Sequence, residues 1–208
     1  MKNLVVHVVR TGTANLASIA AGLRRAGATA QLVENPGDVL RADLLVVPGV
    51  GTLAAAIQRL EQSDLIAPLR ERILSNRPTL SVCLGMQLLC EESEESDGVR
   101  GLGCVSERVT RFPKGERIPQ LGWNRVRAPL DARFLEDGYF YFANSYCLRE
   151  TPNGWRGATA EYGVRFVAAM EKGSQLACQF HPELSGKAGL RLIKRWLESS
   201  RNEGEKLC

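Results

Sequence analysis

The residue with the clearest chemical potential is a cysteine between a predicted strand and a predicted helix. Cys83 directly follows the apolar run 79–82 and precedes Leu84-Gly-Met-Gln87. A nucleophile on such a tight corner needs small neighbours, and Ser81 and Gly85 are small. The N–H groups and the dipole of a helix N-terminus favour a thiolate and can also hold an oxyanion. Taken alone, however, this segment fits a buried structural cysteine somewhat better than a nucleophile.

A histidine and a carboxylate lie close together near the end of the chain, in Gln179-Phe-His-Pro-Glu183. In an extended segment, residues two apart point to the same side, and Pro182 stiffens the backbone between them. Glu183 can then accept a hydrogen bond from one imidazole nitrogen of His181, which leaves the other nitrogen free to take a proton from Cys83. These three residues fit the nucleophile, base and carboxylate of acyl transfer.

A glycine-rich loop, Pro48-Gly-Val-Gly51, follows the third predicted strand. Glycines at positions 49 and 51 allow the backbone N–H groups to approach a ligand closely. A plain turn explains the pattern equally well by itself. Beside a cysteine, a histidine and a glutamate, the loop becomes a candidate second donor to an oxyanion.

These residues need a scaffold, and the hydrophobic pattern predicts one. Strands are predicted at 4–9, 28–33, 44–47 and 79–82, and helices at 16–26, 52–60, 65–74 and 86–91. This alternation predicts an α/β fold, a mostly parallel doubly wound sheet with a flavodoxin-like core. Short β-like runs after Gly98 are interpreted as antiparallel strands that extend the same sheet, and a closing helix is predicted at 187–197. We expect one domain over residues 1–198, a frayed tail over 199–208, and a solvated helix end and loop at the acidic residues 91–97.

Composition excludes several classes of protein. The 208 residues are 44% hydrophobic and 24% charged, as in an ordinary soluble globular protein. No apolar run approaches the roughly 20 residues of a membrane helix. A net charge of +4, scattered basic residues and 6% aromatics argue against a nucleic-acid surface. The six cysteines lack the spacing of a zinc site, so we expect no metal, and no cofactor is expected either. The N-terminus is interpreted as a first strand rather than a signal peptide, so we expect a cytoplasmic location and no disulfide framework.

The three motifs, in this order along the chain, resemble those of the class I (triad) glutamine amidotransferases. Four further segments are similar to the glutaminase subunits of imidazole glycerol phosphate synthase. They are Thr11-Gly-Thr-Ala-Asn-Leu16, Gly101-Leu-Gly103, Ile118-Pro-Gln-Leu-Gly-Trp-Asn124 and Tyr141-Phe-Ala-Asn-Ser-Tyr146. The resemblance extends from about residue 3 to residue 197, and it implies the same fold and the same reaction.

The resemblance also implies roles for individual residues. Cys83 would attack the side-chain amide of glutamine, His181 would act as base and then as acid, and Glu183 would orient it. The oxyanion would be held by backbone N–H groups around the loop Gly49, Val50, Gly51 and at Leu84. The glutamine pocket would be lined by Gln87, Ser145 and Tyr146, and the partner interface would include Asn15, Trp123 and Asn124. The partner would be a (β/α)₈-barrel cyclase subunit, which uses the ammonia for histidine biosynthesis.

The chain departs from the family pattern at Arg10, Thr11, Ala14, Ser81, Gln120, Leu121, Asn144 and Leu184. Ser81 replaces a glycine at the corner before Cys83, and it is small enough for catalysis to survive. We expect the others to gather on loops that face the partner, where they would alter coupling but not the triad.

Two other functions remain open from the sequence. One is the glutaminase subunit of a different class I enzyme, of the anthranilate or aminodeoxychorismate synthase type. The segment Leu121-Gly-Trp-Asn124 argues against it. The other is a regulatory module that keeps the fold without catalysis, and the departures at Arg10, Ser81 and Leu184 are its best support.

Overall fold

The computed structural model of this chain describes residues 4–12 and 15–204. A seven-stranded central sheet carries helices on both faces, with two smaller sheets beside it. The strands are β1 Leu4–Val9, β2 Ala28–Val33, β3 Leu45–Val47, β4 Thr79–Val82, β5 Cys90–Ser93, β6 Val105–Arg111, β7 Gln120–Val126, β8 Gly138–Asn144, β9 Tyr146–Leu148, β10 Arg156–Tyr162, β11 Val164–Lys172 and β12 Gln175–Cys178. The helices are α1 Leu16–Arg25, α2 Pro36–Arg41, α3 Leu53–Gln62, α4 Ile66–Leu74, α5 Leu84–Gln87 and α6 Gly186–Gly204, with a 3₁₀ turn at Pro182–Leu184.

The central sheet has the order β10-β11-β12-β4-β3-β1-β2. Its five strands from β12 to β2 run parallel, and β10 and β11 add an antiparallel edge. The α/β fold with a mostly parallel sheet, predicted from the sequence, is therefore confirmed. Because parallel strands end at the same edge, this order places the segments after β12, β4 and β3 side by side.

Both faces of the central sheet are buried. Successive side chains along each strand point to opposite faces, so each strand contributes to both cores. Val6 and Val8 of β1 belong to the core on one face, whereas Val9 belongs to the core on the other. On the first face, Phe180 stacks on Phe140 with ring centroids 4.2 Å apart and meets Phe142 edge-on at 5.6 Å. This aromatic cluster fixes the chain immediately before His181.

A buried arginine joins the helical layer to the sheet. Arg72 of α4 is fully buried and donates hydrogen bonds to the carbonyl oxygens of Val39, Ala42, Asp43 and Pro78 and to the Thr79 hydroxyl. Burial, followed by the nearby charge of Arg77, lowers the pKa of Arg72 to about 9. The guanidinium thus supplies donors to buried carbonyl groups at the end of α2, in the loop before β3 and just before β4, of which those of Ala42 and Pro78 also accept from other groups.

Four expectations about secondary structure need correction. The helix predicted at 86–91 ends at Gln87, because residues 90–93 form β5 and pair with β6. The acidic residues after it are therefore not a solvated helix end. Only β10 and β11 extend the central sheet in antiparallel fashion, while β5-β6-β9 and β7-β8 form sheets of their own. Helix α2 was not predicted.

The end of the chain is helical further than its polar composition indicates. Helix α6 continues to Gly204, and residues 205–208 lie outside the described part of the chain, as does Ala14. Within the described residues, no helix combines the length and the apolar character needed to cross a membrane.

Candidate active site

Cys83 occupies a strained corner between β4 and α5. Its φ of 55° and ψ of −111° lie outside the regions that a residue with a side chain normally adopts. Such a conformation costs on the order of 1–3 kcal/mol and persists only where the surroundings enforce it. The Cys83 N–H donates to the Cys178 carbonyl at 2.7 Å, which ties the corner to β12.

The helix after Cys83 passes directly over the end of β3. A Cβ atom added to Gly85 would lie 2.0 Å from the carbonyl oxygen of Val47, so no side chain fits there. Ser81 is buried within β4, where its small side chain fits the close packing at this corner.

The base and the carboxylate are adjacent, buried and hydrogen-bonded. His181 and Glu183 are 6% and 5% exposed, and Nδ1 of the imidazole lies 2.9 Å from Oε1 of the carboxylate. The connecting residues form a 3₁₀ turn, so the expected extended segment is wrong although the two side chains do meet. The His181 N–H donates to the Tyr141 carbonyl at 2.9 Å, and Arg25 donates to the Glu183 carbonyl at 2.8 Å.

The charge state of His181 depends on its two neighbours. Burial opposes a charged imidazole, but hydrogen bonds with Cys83 and Glu183 outweigh it and raise the pKa of His181 to about 10. In contrast, burial raises the pKa of Cys90 to about 12 and that of Cys147 to about 11, so these thiols remain protonated and inert.

The glycine loop reaches the same place from β3. The Leu84 N–H, a candidate oxyanion donor, is bonded to the Gly49 carbonyl at 3.3 Å. An added Cβ at Gly49 would lie 2.9 Å from the Leu84 side chain, so the loop packs tightly against the corner. Val50 and Gly51 line the cavity beside Cys83.

A cavity of about 220 Å³ opens in front of the cysteine, which is the size of a small ligand. It is lined by Val50, Gly51, Cys83, Leu84, Gln87, Glu95, Pro119, Ala143, Asn144, Ser145, Tyr146 and His181. The sequence-based prediction missed Glu95, which accepts a hydrogen bond from the Leu53 N–H at 2.8 Å at the start of α3. No local signal distinguishes it from the other acidic residues around it.

A second missed residue lies beneath the cavity. Gln179 is fully buried, and its Nε2 lies 3.7 Å from Sγ of Cys83. Its Oε1 accepts a hydrogen bond from Nε2 of Gln87 at 2.8 Å, and the same nitrogen donates to the Tyr146 carbonyl at 3.2 Å. The motif before His181 contains this glutamine, but its type alone assigns it no role.

The predicted interface residues lie at the surface. Asn15 is exposed and caps α1 by accepting from the Ser18 N–H at 3.2 Å. Trp123 on β7 is 57% exposed, with its ring centroid 6.1 Å from that of Tyr141. Asn124 is half-buried and donates to the Glu161 carbonyl at 2.8 Å.

The departures from the family pattern do not all lie on partner-facing loops, and that expectation is wrong for three of them. Thr11 is fully buried, and Gln120 and Asn144 are buried residues paired across β7 and β8. Arg10 is exposed and forms an ion pair with Glu34 at 2.8 Å. The remaining exposed departures are Leu121, at 69%, and Leu184, at 41%.

The arrangement defines a chemistry. A cysteine on a strained corner and a buried histidine–glutamate pair meet at one cavity, as acyl transfer through a thioester requires. The candidate oxyanion donor, the Leu84 N–H, lies at the same corner but is bonded to the Gly49 carbonyl. Over residues 4–12 and 15–204, no three His, Cys, Asp or Glu side chains are grouped as a metal site requires.

Comparison with known proteins agrees with this chemistry. The family model of class-I glutamine amidotransferases matches residues 7–198. The imidazole glycerol phosphate synthase subunits HisH of Methanothermobacter thermautotrophicus and of Escherichia coli (strain K12) are each 41% identical, over 93% of this chain and 98% of theirs. A solved structure described as a glutamine amidotransferase shares the fold with a TM-score of 0.76 at 21% identity, over 94% of this chain and 98% of that one.

The chain therefore belongs to the class-I glutamine amidotransferases, which hydrolyse glutamine. Within that class it belongs to the family of the HisH proteins, the glutaminase subunits of imidazole glycerol phosphate synthase.

Proposed function

We propose that this chain forms a glutamyl thioester on Cys83 and delivers the released ammonia to a (β/α)₈-barrel cyclase subunit in the cytoplasm. The observation that carries the proposal is the buried His181–Glu183 pair, which lies against Cys83, a cysteine on a strained corner at the edge of a cavity. A purely structural cysteine would need neither a strained backbone conformation nor a neighbouring histidine–glutamate pair.

The proposed reaction proceeds in two acyl-transfer steps. Cys83 loses its proton to Nε2 of His181 and its sulfur attacks the side-chain amide carbon of glutamine. The C–N bond then breaks, and His181 returns the proton to the leaving ammonia. Water hydrolyses the thioester to glutamate with His181 again acting as base. Glu183 holds Nδ1 throughout, which keeps the reactive nitrogen directed at the sulfur.

Two polar side chains on the cavity wall suit the amino-acid end of glutamine. The Glu95 carboxylate is held by the Leu53 N–H and can pair with the α-ammonium group of the substrate. Both N–H bonds of the Gln87 amide are directed at protein acceptors, so its carbonyl oxygen is what remains for a ligand. Ser145 and Tyr146 form the adjoining wall.

The glycine loop supplies a control point in this proposal. As long as the Gly49 carbonyl accepts from the Leu84 N–H, that donor cannot hold an oxyanion. Rotation of the Gly49–Val50 peptide would release the Leu84 N–H and turn the Val50 N–H toward the cavity, because the two groups belong to one rigid unit. The glutaminase would then be nearly silent until a partner stabilises the rotated peptide.

The surface next to the cavity suits the partner. Pro119 lines the cavity, and β7 continues from it to the exposed ring of Trp123. The exposed side chains of Leu121, Tyr139 and Leu184 add apolar area of the kind found at interfaces. We assign Trp123, Asn124 and Asn15 to the interface with the cyclase.

One experiment tests the whole proposal. Glutamine hydrolysis and product formation are measured for the wild type and Cys83→Ala, each with and without a barrel cyclase and its nucleotide ligand. We expect glutamine use only in the wild-type complex with ligand, while synthesis from added ammonium salts survives in both complexes. The control is Cys147→Ala, which removes a buried thiol that does not line the cavity.

Three outcomes are informative. Persistent glutamine use by Cys83→Ala would disprove the nucleophile. Full glutaminase activity of the isolated wild type would disprove the control by the loop. Activity restored by a different synthase would point to another class I enzyme.

A further inference from the structure

The buried amide of Gln179 is the closest side-chain donor to the nucleophile apart from the imidazole, among the residues that the structure describes. We infer that Gln179 is a catalytic residue, whose amide N–H donates a hydrogen bond to the Cys83 sulfur and stabilises its thiolate form. The inference rests on the proposed role of Cys83 and deepens it. The contact spans 3.7 Å from Nε2 to Sγ, within the range of a hydrogen bond to sulfur.

The direction of this hydrogen bond follows from a chain of donors. An amide presents an acceptor oxygen and a donor nitrogen of similar shape, so its orientation must be deduced from its partners. The Tyr146 carbonyl can only accept, which identifies the Gln87 atom 3.2 Å away as nitrogen. That nitrogen lies 2.8 Å from Gln179, so it faces the oxygen of Gln179. The nitrogen of Gln179 must then face Cys83.

The surroundings give this donor its importance. Gln179 is 0% exposed, so water cannot replace it beneath the sulfur. Besides the imidazole, the Ala143 carbonyl lies 4.0 Å from Sγ and accepts from the thiol, so it offers no proton to a negative charge. A hydrogen bond to the charged form of a group favours that form, and bonds to ionised groups are about twice as strong as neutral ones.

Gln179 and His181 would have different roles in the reaction. The imidazole takes the thiol proton and must later turn it toward the leaving ammonia, whereas the amide of Gln179 keeps its proton throughout. The titratable groups around the sulfur are His181, with Glu183 behind it, and Glu95 on the cavity wall, and the Cys178 backbone bonds to that of Cys83 on the neighbouring strand. Gln179 is a neutral donor whose effect does not depend on their charge.

The test compares two substitutions with a matched control. Gln179→Met keeps the length and removes the donor. Gln179→Glu keeps the shape and an acceptor for Gln87, but presents an oxygen to the sulfur. The control is Gln175→Met on β12, the strand that Gln179 follows, where the buried amide donates to the Arg77 carbonyl away from the cavity.

Two quantities are measured. The first is the rate of iodoacetamide alkylation of the Cys83 peptide in the isolated chain, from about pH 5 to about pH 10, followed by mass spectrometry. We expect its midpoint to rise by about one pH unit in Gln179→Met, which is a tenfold change, and by more in Gln179→Glu. The second is glutamine hydrolysis in the cyclase complex, where kcat should fall about tenfold or more while KM stays within about twofold. Gln175→Met should match the wild type in both.

Alkylation profiles of folded Gln179→Met and Gln179→Glu that coincide with the wild type would overturn the inference. If Gln179→Met does not fold by circular dichroism, Gln179→Leu takes its place, because it also removes the donor and places no charge or new proton beside the sulfur. This failure is distinct from that of the proposed function, which the activity of Cys83→Ala reports independently.

Discussion

The close approach of α5 to β3 makes Gly85 a sensitive position beside the triad, and Gly85→Ala tests it. An added Cβ would lie 2.0 Å from the Val47 carbonyl oxygen, whereas ordinary contact begins at about 3.4 Å. The corner and the end of β3 must therefore separate by roughly 1.4 Å. Both parts carry chemistry, because Cys83 precedes Gly85 and the glycine loop follows Val47.

The expected magnitude follows from this displacement. Overpacking of a tight interior costs about 1–3 kcal/mol. In a chain of this size, each kcal/mol lowers the melting temperature by about 2–4 °C, so we expect a fall of roughly 2–12 °C. A misplacement on the order of 1 Å at a reacting group costs about 100-fold in rate. Glutamine-dependent synthesis should fall by about that factor, while ammonia-dependent synthesis in the complex stays unchanged.

The assay needs a glycine control. Gly98→Ala introduces a side chain at a φ of +75° but meets nothing within 4 Å, so it reports backbone strain of about 1–2 kcal/mol without a collision. Melting curves and both synthesis rates are compared for the two variants. If Gly85→Ala keeps glutamine-dependent activity within threefold of Gly98→Ala, the tight packing at the corner does not control catalysis and the reasoning is refuted.

Two further predictions concern stability. Arg72→Met leaves buried carbonyl groups without their donor. We expect the free energy of unfolding to fall by about 3 kcal/mol or more and the melting temperature by roughly 6–12 °C. An unchanged melting temperature would contradict the role of this hydrogen-bond network. For His181, the folded pKa of about 10 exceeds the unfolded value of about 6.5, so the charged imidazole stabilises the fold fully below about pH 6.5 and progressively less up to about pH 10. The melting temperature of the wild type should then fall more steeply between these pH values than that of His181→Gln, and parallel curves would exclude this linkage.

The parallel core could be predicted because each of its strands is a short apolar run followed by a turn. The bounds of β1, β2 and β4 agree with the sequence pattern to the residue. The error at residues 86–91 has a physical cause. The apolar run Leu88-Leu89-Cys90 suits a helix or a strand equally, and β6, fifteen residues further on, decides the outcome by pairing with it. Pairing between distant segments leaves no mark on the local pattern.

The same difference between local pattern and tertiary contact applies to the residues of the candidate site. Cys83, His181 and Glu183 were predictable because their types and spacing carry chemistry by themselves. Glu95 and Gln179 were not, because each acts through a neighbour that only the fold supplies. Glu95 meets the start of α3, which lies 42 residues earlier in the chain, and Gln179 meets a cysteine 96 residues away. The departures Gln120 and Asn144 were misplaced for the same reason, since burial within β7 and β8 depends on the tertiary packing.

The three neighbouring strands β12, β4 and β3 hold different parts of the candidate site. The nucleophile follows β4 and the base follows β12, and the ladder between these strands ends in the bond from the Cys83 N–H to the Cys178 carbonyl. The glycine loop follows β3 on the opposite side and touches the corner through the bond from Leu84 to Gly49. The two neighbours of β4 thus reach the corner through different contacts. For protein engineering, the proposed control by the loop makes Val50, on the cavity wall, the position to vary, because a side chain at Gly49 would meet Leu84 beside the nucleophile.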